Sequence, residues 1–165
     1  MPKVGIVIGS ASDLDVILNA VKLLKDFGIE VELRVLSAHR TPEELVSFVK
    51  NAKKNGFEVI ISAAGKAAHL PGVIASHTNL PVIGVPVKSL TLDGLDALLS
   101  IVQMPKGIPV ATVAIDGGEN AALLALRILS LKYDDISKAL DDYVKKMRED
   151  VLSQDKKIND ELDKI

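Results

Sequence analysis

The sequence contains no cysteine and no tryptophan, and aromatic residues make up only 3% of its 165 positions. Without cysteine, disulfide bonds and thiolate metal sites are excluded. The scarcity of aromatic residues removes the usual platforms on which nucleic acid bases stack. A formal net charge of −2 also gives no basic surface for a phosphate backbone. We therefore expect no nucleic acid partner.

Long apolar runs are missing as well. No segment approaches the roughly 20 apolar residues that a membrane span needs, and Met1-Pro2-Lys3 leads directly into a strand-like run, not a signal peptide. Hydrophobic residues nevertheless make up 48% of the chain, so we expect a full core of Val, Ile, Leu and Ala. This combination is typical of a soluble, cytoplasmic protein with one domain over residues 1–165, since two domains would be cramped.

Five short apolar runs alternate with segments of helical periodicity. The runs span residues 4–8, 31–36, 59–63, 81–85 and 109–115. Most lack strict alternation, as expected of strands that are covered on both faces. The helical patterns span residues 14–24, 45–52, 94–102 and 121–131, and Gly28 ends the first. Strands that alternate with helices predict a parallel sheet with right-handed crossovers.

The end of the chain has a different pattern. From Tyr133 onward, a strongly charged segment carries one apolar stripe, formed by Ile136, Leu140, Tyr143, Met147 and Val151. The stripe predicts a long helical extension over residues 133–162 that follows a core of residues 1–131. Either the chain's own domain or a neighbouring subunit would cover it. Beyond Ser153, the composition predicts a fraying, solvated end.

Three polar or glycine-containing segments follow predicted strands, at the sheet edge where parallel α/β proteins bind ligands. The first is Gly9-Ser10-Ala11-Ser12-Asp13. A tight glycine turn, the unpaired N–H groups of a helix start and two hydroxyls favour an anion site, in particular for phosphate. Asp13 could accept a hydrogen bond from a ribose hydroxyl. The alternative is that Ser12 or Asp13 only caps the helix.

The second segment, SAHRTPEE at residues 37–44, begins a helix. Thr41 as N-cap, Pro42 in the first turn and Glu44 closing a capping box explain its second half. They do not explain His39 and Arg40. A cation is unfavourable at a helix N-terminus unless an anion binds there too, so Arg40 is a candidate phosphate ligand and His39 a candidate proton carrier. A purely structural histidine is the alternative.

The third segment, AAGKAAHLPG at residues 63–72, has small residues that would let a flat ring approach the backbone. Lys66 and His69 are candidate ligand contacts, and a structural turn before a buried helix is the alternative. Two further segments, GVPVKS at 84–89 and SIVQMP at 100–105, suit either proline-containing turns or a pocket wall.

Together these segments resemble the PurE family of purine biosynthesis, specifically its N5-carboxyaminoimidazole ribonucleotide mutases. The matching motifs keep the family's order over nearly the whole chain: GSASD at 9–13, SAHRTP at 37–42, AGKAAHLPG at 64–72, GVPV at 84–87, SIVQMP at 100–105 and NAALLA at 120–125. The resemblance implies a flavodoxin-like three-layer α/β/α fold and a homo-octamer whose C-terminal helix reaches neighbouring subunits. It also implies a reaction without metal, ATP, biotin or any other cofactor.

The resemblance implies a role for each motif. Ser10, Ser12 and Arg40 would hold the substrate phosphate, Asp13 would contact the ribose, and His39 would be the general acid/base. Gly65, Ala68 and Leu70 would line the imidazole ring and the migrating carboxylate. The full set of expected substrate contacts is Gly9, Ser10, Ser12, Asp13, Ser37, Ala38, Arg40, Gly65, Lys66, Ala67, Ala68, His69 and Leu70.

The family reaction moves a carboxylate from the exocyclic N5 to ring carbon C4 of an aminoimidazole ribotide. His39 would protonate N5 as CO2 leaves and would then remove the C4 proton after the ring captures CO2. A histidine suits both steps because its ordinary pKa is about 6.5. A closed pocket of small apolar side chains would keep CO2 from escaping.

One departure and several rivals accompany this resemblance. Lys66 stands where the common bacterial pattern has a second glycine, which puts the loop's shape in doubt. The sister class carboxylates aminoimidazole ribotide directly with CO2, but it has lysine in place of Arg40 and lacks the sequence at 68–70. A carboxylase of a pyridine mononucleotide usually carries an extra N-terminal region. A non-catalytic ribotide-binding module would need the phosphate site but no acid/base.

Overall fold

One parallel sheet of five strands, in the order β2-β1-β3-β4-β5, forms the centre of the molecule. The structure is a computed structural model and describes residues 1–164. The strands are β1 (Lys3–Ile8), β2 (Glu30–Val35), β3 (Phe57–Gly65), β4 (Val82–Val87) and β5 (Ala111–Thr112). The helices are α1 (Leu14–Asp26), α2 (Pro42–Ala52), α3 (Leu70–Ser76), α4 (Leu95–Val102), α5 (Gly118–Ser130) and α6 (Asp134–Leu162). Single 3-10 turns, Ala11–Asp13 and Leu92–Gly94, precede α1 and α4.

Both faces of the sheet are buried under helices. On one face, alternate strand residues such as Ile6 and Ile61 pack against α1, α5 and the start of α6. On the other face, residues such as Val7 and Ile60 pack against α2, α3 and α4. Because side chains alternate along a strand, the near-continuous apolar runs supply both cores. The expected three-layer α/β/α fold with a parallel, flavodoxin-like sheet is confirmed.

Two strands differ from their predicted form. β2 lies at the edge of the sheet, so it is only half buried, and Val35 is 54% exposed. The run at 109–115 contributes only Ala111 and Thr112 as a strand. The chain beyond them still donates to β4, from Val113 to the Gly84 carbonyl and from Asp116 to the Pro86 carbonyl. The chain then turns at Asp116, which has a φ of +57°.

The C-terminal helix α6 is 29 residues long, and only its first part packs on the domain. Ile136 and Leu140 are buried, and the Tyr143 ring meets Phe27 edge-on at 6.0 Å. The predicted fraying after Ser153 is wrong, because the helix continues to Leu162, although those residues are exposed as expected. Within residues 1–164, neither α6 nor any other helix is long and apolar enough to cross a membrane.

Candidate active site

The three polar segments meet at the carboxyl edge of the sheet around one cavity of about 540 Å³. Every residue expected to contact substrate lies on its wall. The lining residues are Gly9, Ser10, Ser12, Asp13, Ser37, Ala38, His39, Arg40, Ala64, Gly65, Lys66, Ala67, Ala68, His69, Leu70, Val87, Lys88 and Ser89. The strand order explains the convergence, because β1 lies between β2 and β3 and its loop therefore has the other two on either side.

The loop after β1 presents two hydroxyls and a carboxylate. Ser10 is the N-cap of the 3-10 turn, and its Oγ accepts hydrogen bonds from the N–H (3.3 Å) and the Oγ (3.0 Å) of Ser12. Asp13 precedes α1 but forms no side-chain cap, and its carboxylate accepts a hydrogen bond from the Ser12 Oγ at 3.3 Å beside the cavity. Capping therefore accounts for Ser10 and not for Asp13.

The Asp13 carboxyl is half-buried beside the cavity. Burial raises its pKa above the ordinary value, because a charged carboxylate loses solvation there. Hydrogen bonds from Ser12 and from the Ser10 backbone, together with the charge of Arg40, oppose that shift. The acid is thus placed where a hydroxyl donor from a ligand would stabilise its charged form.

The loop after β2 is organised by Ser37, whose Oγ accepts hydrogen bonds from the backbone N–H groups of His39 (3.3 Å) and Arg40 (3.2 Å). The predicted capping box is wrong in its details. The Thr41 hydroxyl accepts from the Ser37 N–H (2.8 Å) and donates to the Ser37 carbonyl (3.2 Å), so it caps no N–H of α2. Thr41 still precedes Pro42 at the helix start. The Thr41 hydroxyl therefore stabilises the loop after β2 and does not cap α2, because its bonds to the Ser37 backbone compete with capping.

Arg40 connects the two loops. Its Nη2 donates to the Gly9 carbonyl at 2.8 Å, and its Nε lies 3.4 Å from the Ser37 Oγ. These bonds restrain the guanidinium, which lines the cavity and has further N–H groups to offer a ligand. The arrangement places a fixed cation beside the hydroxyls of Ser10 and Ser12, which is the donor set that a phosphate requires.

The loop after β3 turns sharply at Lys66, which has a φ of +55°. The N–H groups of Ala68 and His69 each donate to a carbonyl two residues back, at 2.8 Å. Ala68 and Leu70 are buried beneath the cavity, whereas Lys66 and His69 are exposed to it. The loop thus supplies small apolar contacts from its buried residues and polar groups from its exposed ones.

A contact between the second and third loops was not predicted. The Nε2 of His39 lies 2.7 Å from the Nδ1 of His69, and the two rings meet edge-on with centroids 4.9 Å apart. At this distance one of the two nitrogens must carry a hydrogen and the other must accept it. The sequence indicated both residues singly, but only the strand order brings them together.

The residues after β4 complete the wall. Val87, Lys88 and Ser89 line the cavity, so the GVPVKS segment is partly a pocket wall. The SIVQMP segment lies elsewhere, because Val102 and Met104 line a separate groove. Lys88 forms an ion pair with Asp93 at 3.5 Å. Within residues 1–164, no cluster of three histidine or acidic side chains could hold a metal ion.

Fold and cavity together define a class of protein, the open-sheet α/β proteins that bind a small anionic ligand at the carboxyl edge of the sheet. The family model for AIR carboxylase matches residues 3–150, and the chain belongs to that family.

Relatives and solved structures agree with this assignment. A Pyrococcus abyssi protein named N5-carboxyaminoimidazole ribonucleotide mutase is 62% identical over 151 residues, covering 92% of this chain and 84% of the relative. A Saccharolobus solfataricus protein of the same name is 58% identical, covering 93% of this chain and 97% of the relative. The crystal structure of Treponema denticola PurE is similar with a TM-score of 0.87 at 34% identity, covering 95% and 98% of the two chains.

Proposed function

We propose that the chain is an N5-carboxyaminoimidazole ribonucleotide mutase, an isomerase of purine biosynthesis. One observation carries the proposal: an imidazole suited to proton transfer and an arginine-based anion site share the same cavity. His39 and Arg40 are adjacent in sequence, yet one reaches His69 and the other reaches Gly9. A ribotide has a phosphate at one end and a reacting imidazole ring at the other, so its phosphate can meet Arg40 while its ring meets His39.

The phosphate end of the substrate binds to the loops after β1 and β2. Arg40 supplies a fixed positive charge. The Ser10 hydroxyl donates to another phosphate oxygen, and the Ser12 hydroxyl does so once it gives up its bond to the Ser10 Oγ. Ser37 keeps this loop in shape through its bonds to the backbone of residues 39 and 40. The Asp13 carboxylate accepts a hydrogen bond from the ribose.

The reacting end lies against the third loop and His39. As the bond between N5 and the carboxylate carbon breaks, its electron pair stays on N5, which takes a proton from His39, and CO2 is released. Carbon C4 then attacks CO2, and the C4 proton returns to His39 as the ring regains its aromatic form. The proposed chemistry is proton-neutral overall and uses no metal or other cofactor.

The buried small side chains of the third loop have a physical role in this scheme. CO2 must stay beside C4 for the second step, and close walls raise the chance of recapture. Ala68 and Leu70 are almost fully buried and leave little space behind the loop. His69, bonded to His39 at 2.7 Å, restrains the orientation of the catalytic ring.

We further propose that residues 1–165 act as a single cytoplasmic domain in a homo-oligomer, with an octamer as the expected form. An apolar row on α4 and its preceding turn supports association. Leu95, Leu99 and Val102 are each 45–50% exposed, and their spacing of four and three residues places them on one face of α4. Leu92 in the preceding turn is also 65% exposed. Light scattering of the purified chain measures the assembly, and a monomer at micromolar concentration would contradict this part of the proposal.

A second candidate, direct carboxylation of aminoimidazole ribotide by CO2, is favoured by the description of the matching family, AIR carboxylase. Assaying the purified chain with both substrates separates the two. We expect rapid conversion of the N5-carboxylated ribotide without added bicarbonate. Rapid turnover of aminoimidazole ribotide that depends on free CO2, with none of the N5-carboxylated form, would overturn the mutase assignment.

A further inference from the structure

Lys66 holds a backbone conformation that suits glycine better than lysine. It lies at the turn of the loop after β3 with a φ of +55°, where a side chain crowds its own backbone. The turn is anchored on both sides, because Gly65 still pairs with Val87 of β4 and Ala68 is buried just beyond. Strained residues of this kind cluster at functional sites. The strain therefore directs attention to the Lys66 side chain.

That side chain brings an unpaired cation to the cavity. Lys66 is exposed on the cavity wall, and within residues 1–164 it has no carboxylate within 4 Å. Lys88 also lines the cavity, but its ammonium lies 3.5 Å from Asp93. Of these two lysines, Lys66 is the one whose charge is left for a ligand.

The cations of Arg40 and Lys66 belong to different parts of the cavity. Arg40 is bonded to the Gly9 carbonyl and lies beside the Ser37 hydroxyl, between the loops after β1 and β2. Lys66 follows β3, on the other side of β1. Neighbouring strands lie about 4.8 Å apart, so β2 and β3 are about 10 Å apart. A phosphate bound at Arg40 therefore leaves Lys66 available for a second anionic group.

We propose that Lys66 binds the carboxylate of the ligand and makes the site select carboxylated ribotides over the uncarboxylated one. This assignment rests on the function proposed above. With the phosphate at Arg40, the carboxylate is the second anion of the ligand. It is on N5 in the substrate and on C4 in the product, and the flexible four-carbon stem of a lysine can follow it between them. Aminoimidazole ribotide lacks this group, so Lys66 adds nothing to its affinity.

Calorimetric titration with two ribotides tests the selection, since aminoimidazole ribotide and its C4-carboxylated form differ only in the carboxylate. Lys66→Met removes the charge but keeps a long, unbranched side chain on the same strained backbone. Affinity for the carboxylated ribotide should fall about three- to tenfold, between the effects of an exposed ion pair and of a buried charged hydrogen bond. Affinity for aminoimidazole ribotide should not change. Lys66→Arg, which keeps the charge, should retain the parent ratio of the two affinities.

Two further lysines serve as controls. Lys50→Met removes an exposed lysine of α2 outside the cavity and should leave both affinities unchanged. Lys88→Met removes the paired lysine of the cavity wall and should change the ratio of the affinities less than twofold. The same selective loss in Lys88→Met would mean that the overall charge of the cavity, and not Lys66, selects the carboxylate.

An equal loss for both ribotides in Lys66→Met, or no loss for either, would also overturn the assignment. Circular dichroism checks that each variant is folded. The titrations measure binding alone, so they decide the role of Lys66 whether or not the chain turns the N5-carboxylated ribotide over. Turnover of that ribotide by the parent chain reports separately on the function proposed above.

Discussion

Charged side chains are paired with one another at the amino end of the strands, whereas two cations at the carboxyl end have no carboxylate partner within residues 1–164. At the amino end, the Lys3 ammonium lies 3.1 Å from the carboxylates of both Glu30 and Glu32. Nearby, Glu58 accepts hydrogen bonds from Lys132 at 2.8 Å and from Tyr133 at 2.6 Å. The cations and carboxylates of this end are paired with each other.

At the carboxyl end, Arg40 and Lys66 line the cavity, and neither has a carboxylate within 4 Å among the described residues. The positive charge of Arg40 acts to lower the pKa of Asp13, although the two side chains form no ion pair. Side chains that satisfy one another contribute to stability, whereas cations held in place without a partner leave a site for an anion from outside. Lys88 is the exception on the cavity wall, because it pairs with Asp93 at 3.5 Å. We therefore propose that the unpaired cations, Arg40 and Lys66, are the functional ones.

Substituting His39 should have the largest effect, because it removes the proposed acid/base of the carboxyl end. In His39→Asn, turnover should fall by about 10²–10⁴-fold, typical of losing a general acid/base, while ribotide binding persists. Single-turnover kinetics and calorimetric titration with a ribotide measure the two properties. His77→Asn is the control, because His77 follows α3 outside the cavity. If His39→Asn kept full turnover, His39 would not be the acid/base of the reaction; absence of turnover in the parent chain, with ribotide binding retained, would indicate a binding module.

Arg40→Ala comes next. It removes a charge-assisted contact of roughly 1.5–3 kcal/mol, so affinity for a phosphorylated ligand should fall by about 10–100-fold. Arg34→Ala is the matched control, since Arg34 lies on β2 outside the cavity and 3.6 Å from Glu32. Equal affinities for both variants would mean that the unpaired cation of the carboxyl end does not bind the ligand.

Most of the fold could be predicted from periodicity, because buried strands and amphipathic helices impose their patterns locally. The exceptions depend on distant partners. The brevity of β5 follows from which strands pair, and nothing within that segment reports its neighbours. In β2, the alternating Glu32 and Arg34 do indicate one exposed face, but they do not identify the strand as an edge. The continuation of α6 past Ser153, by contrast, has a local signal in the sequence. Residues such as Lys157 and Glu161 have the i, i+4 spacing that supports a helix even where the composition is polar.

The site was predictable in its residues but not in its contacts. A cation next to a helix start identified Arg40 from the sequence alone. The bond between His39 and His69 could not be predicted, because it crosses from the loop after β2 to the loop after β3. The Thr41 hydroxyl had two local partners available, and the sequence could not show that Ser37 would be chosen over the helix N–H groups.

At the amino end, Tyr133→Phe should lower the free energy of unfolding by about 1–2 kcal/mol at neutral pH, since it removes a part-buried hydrogen bond to a carboxylate. Burial acts to raise the pKa of Glu58, but the bonds from Lys132 and Tyr133 outweigh it and lower that pKa. A lowered carboxyl pKa gives stability that is present above the unfolded value and lost as the pH falls through the folded value.

The difference in free energy of unfolding between Tyr133→Phe and the parent chain should therefore become smaller at acidic pH. Urea unfolding at pH 7 and below pH 4 measures it. Tyr143→Phe is the control, because that hydroxyl makes no hydrogen bond within residues 1–164. A penalty that is equal at both pH values would show that Glu58 is not the partner that matters.

Lys66→Gly should have the smallest effect on stability. It tests whether the second unpaired cation of the carboxyl end binds the ligand. Relief of the left-handed backbone contributes roughly 1–2 kcal/mol, and the added freedom of glycine in the unfolded chain offsets about 0.5–1 kcal/mol of it. The net gain is about 0.5 kcal/mol in urea unfolding. If the Lys66 cation also serves the ligand, the KM for the N5-carboxylated ribotide should rise severalfold in Lys66→Gly and stay unchanged in Lys66→Arg. A stabilised variant with an unchanged KM would show that this cation, unlike Arg40, is only solvated.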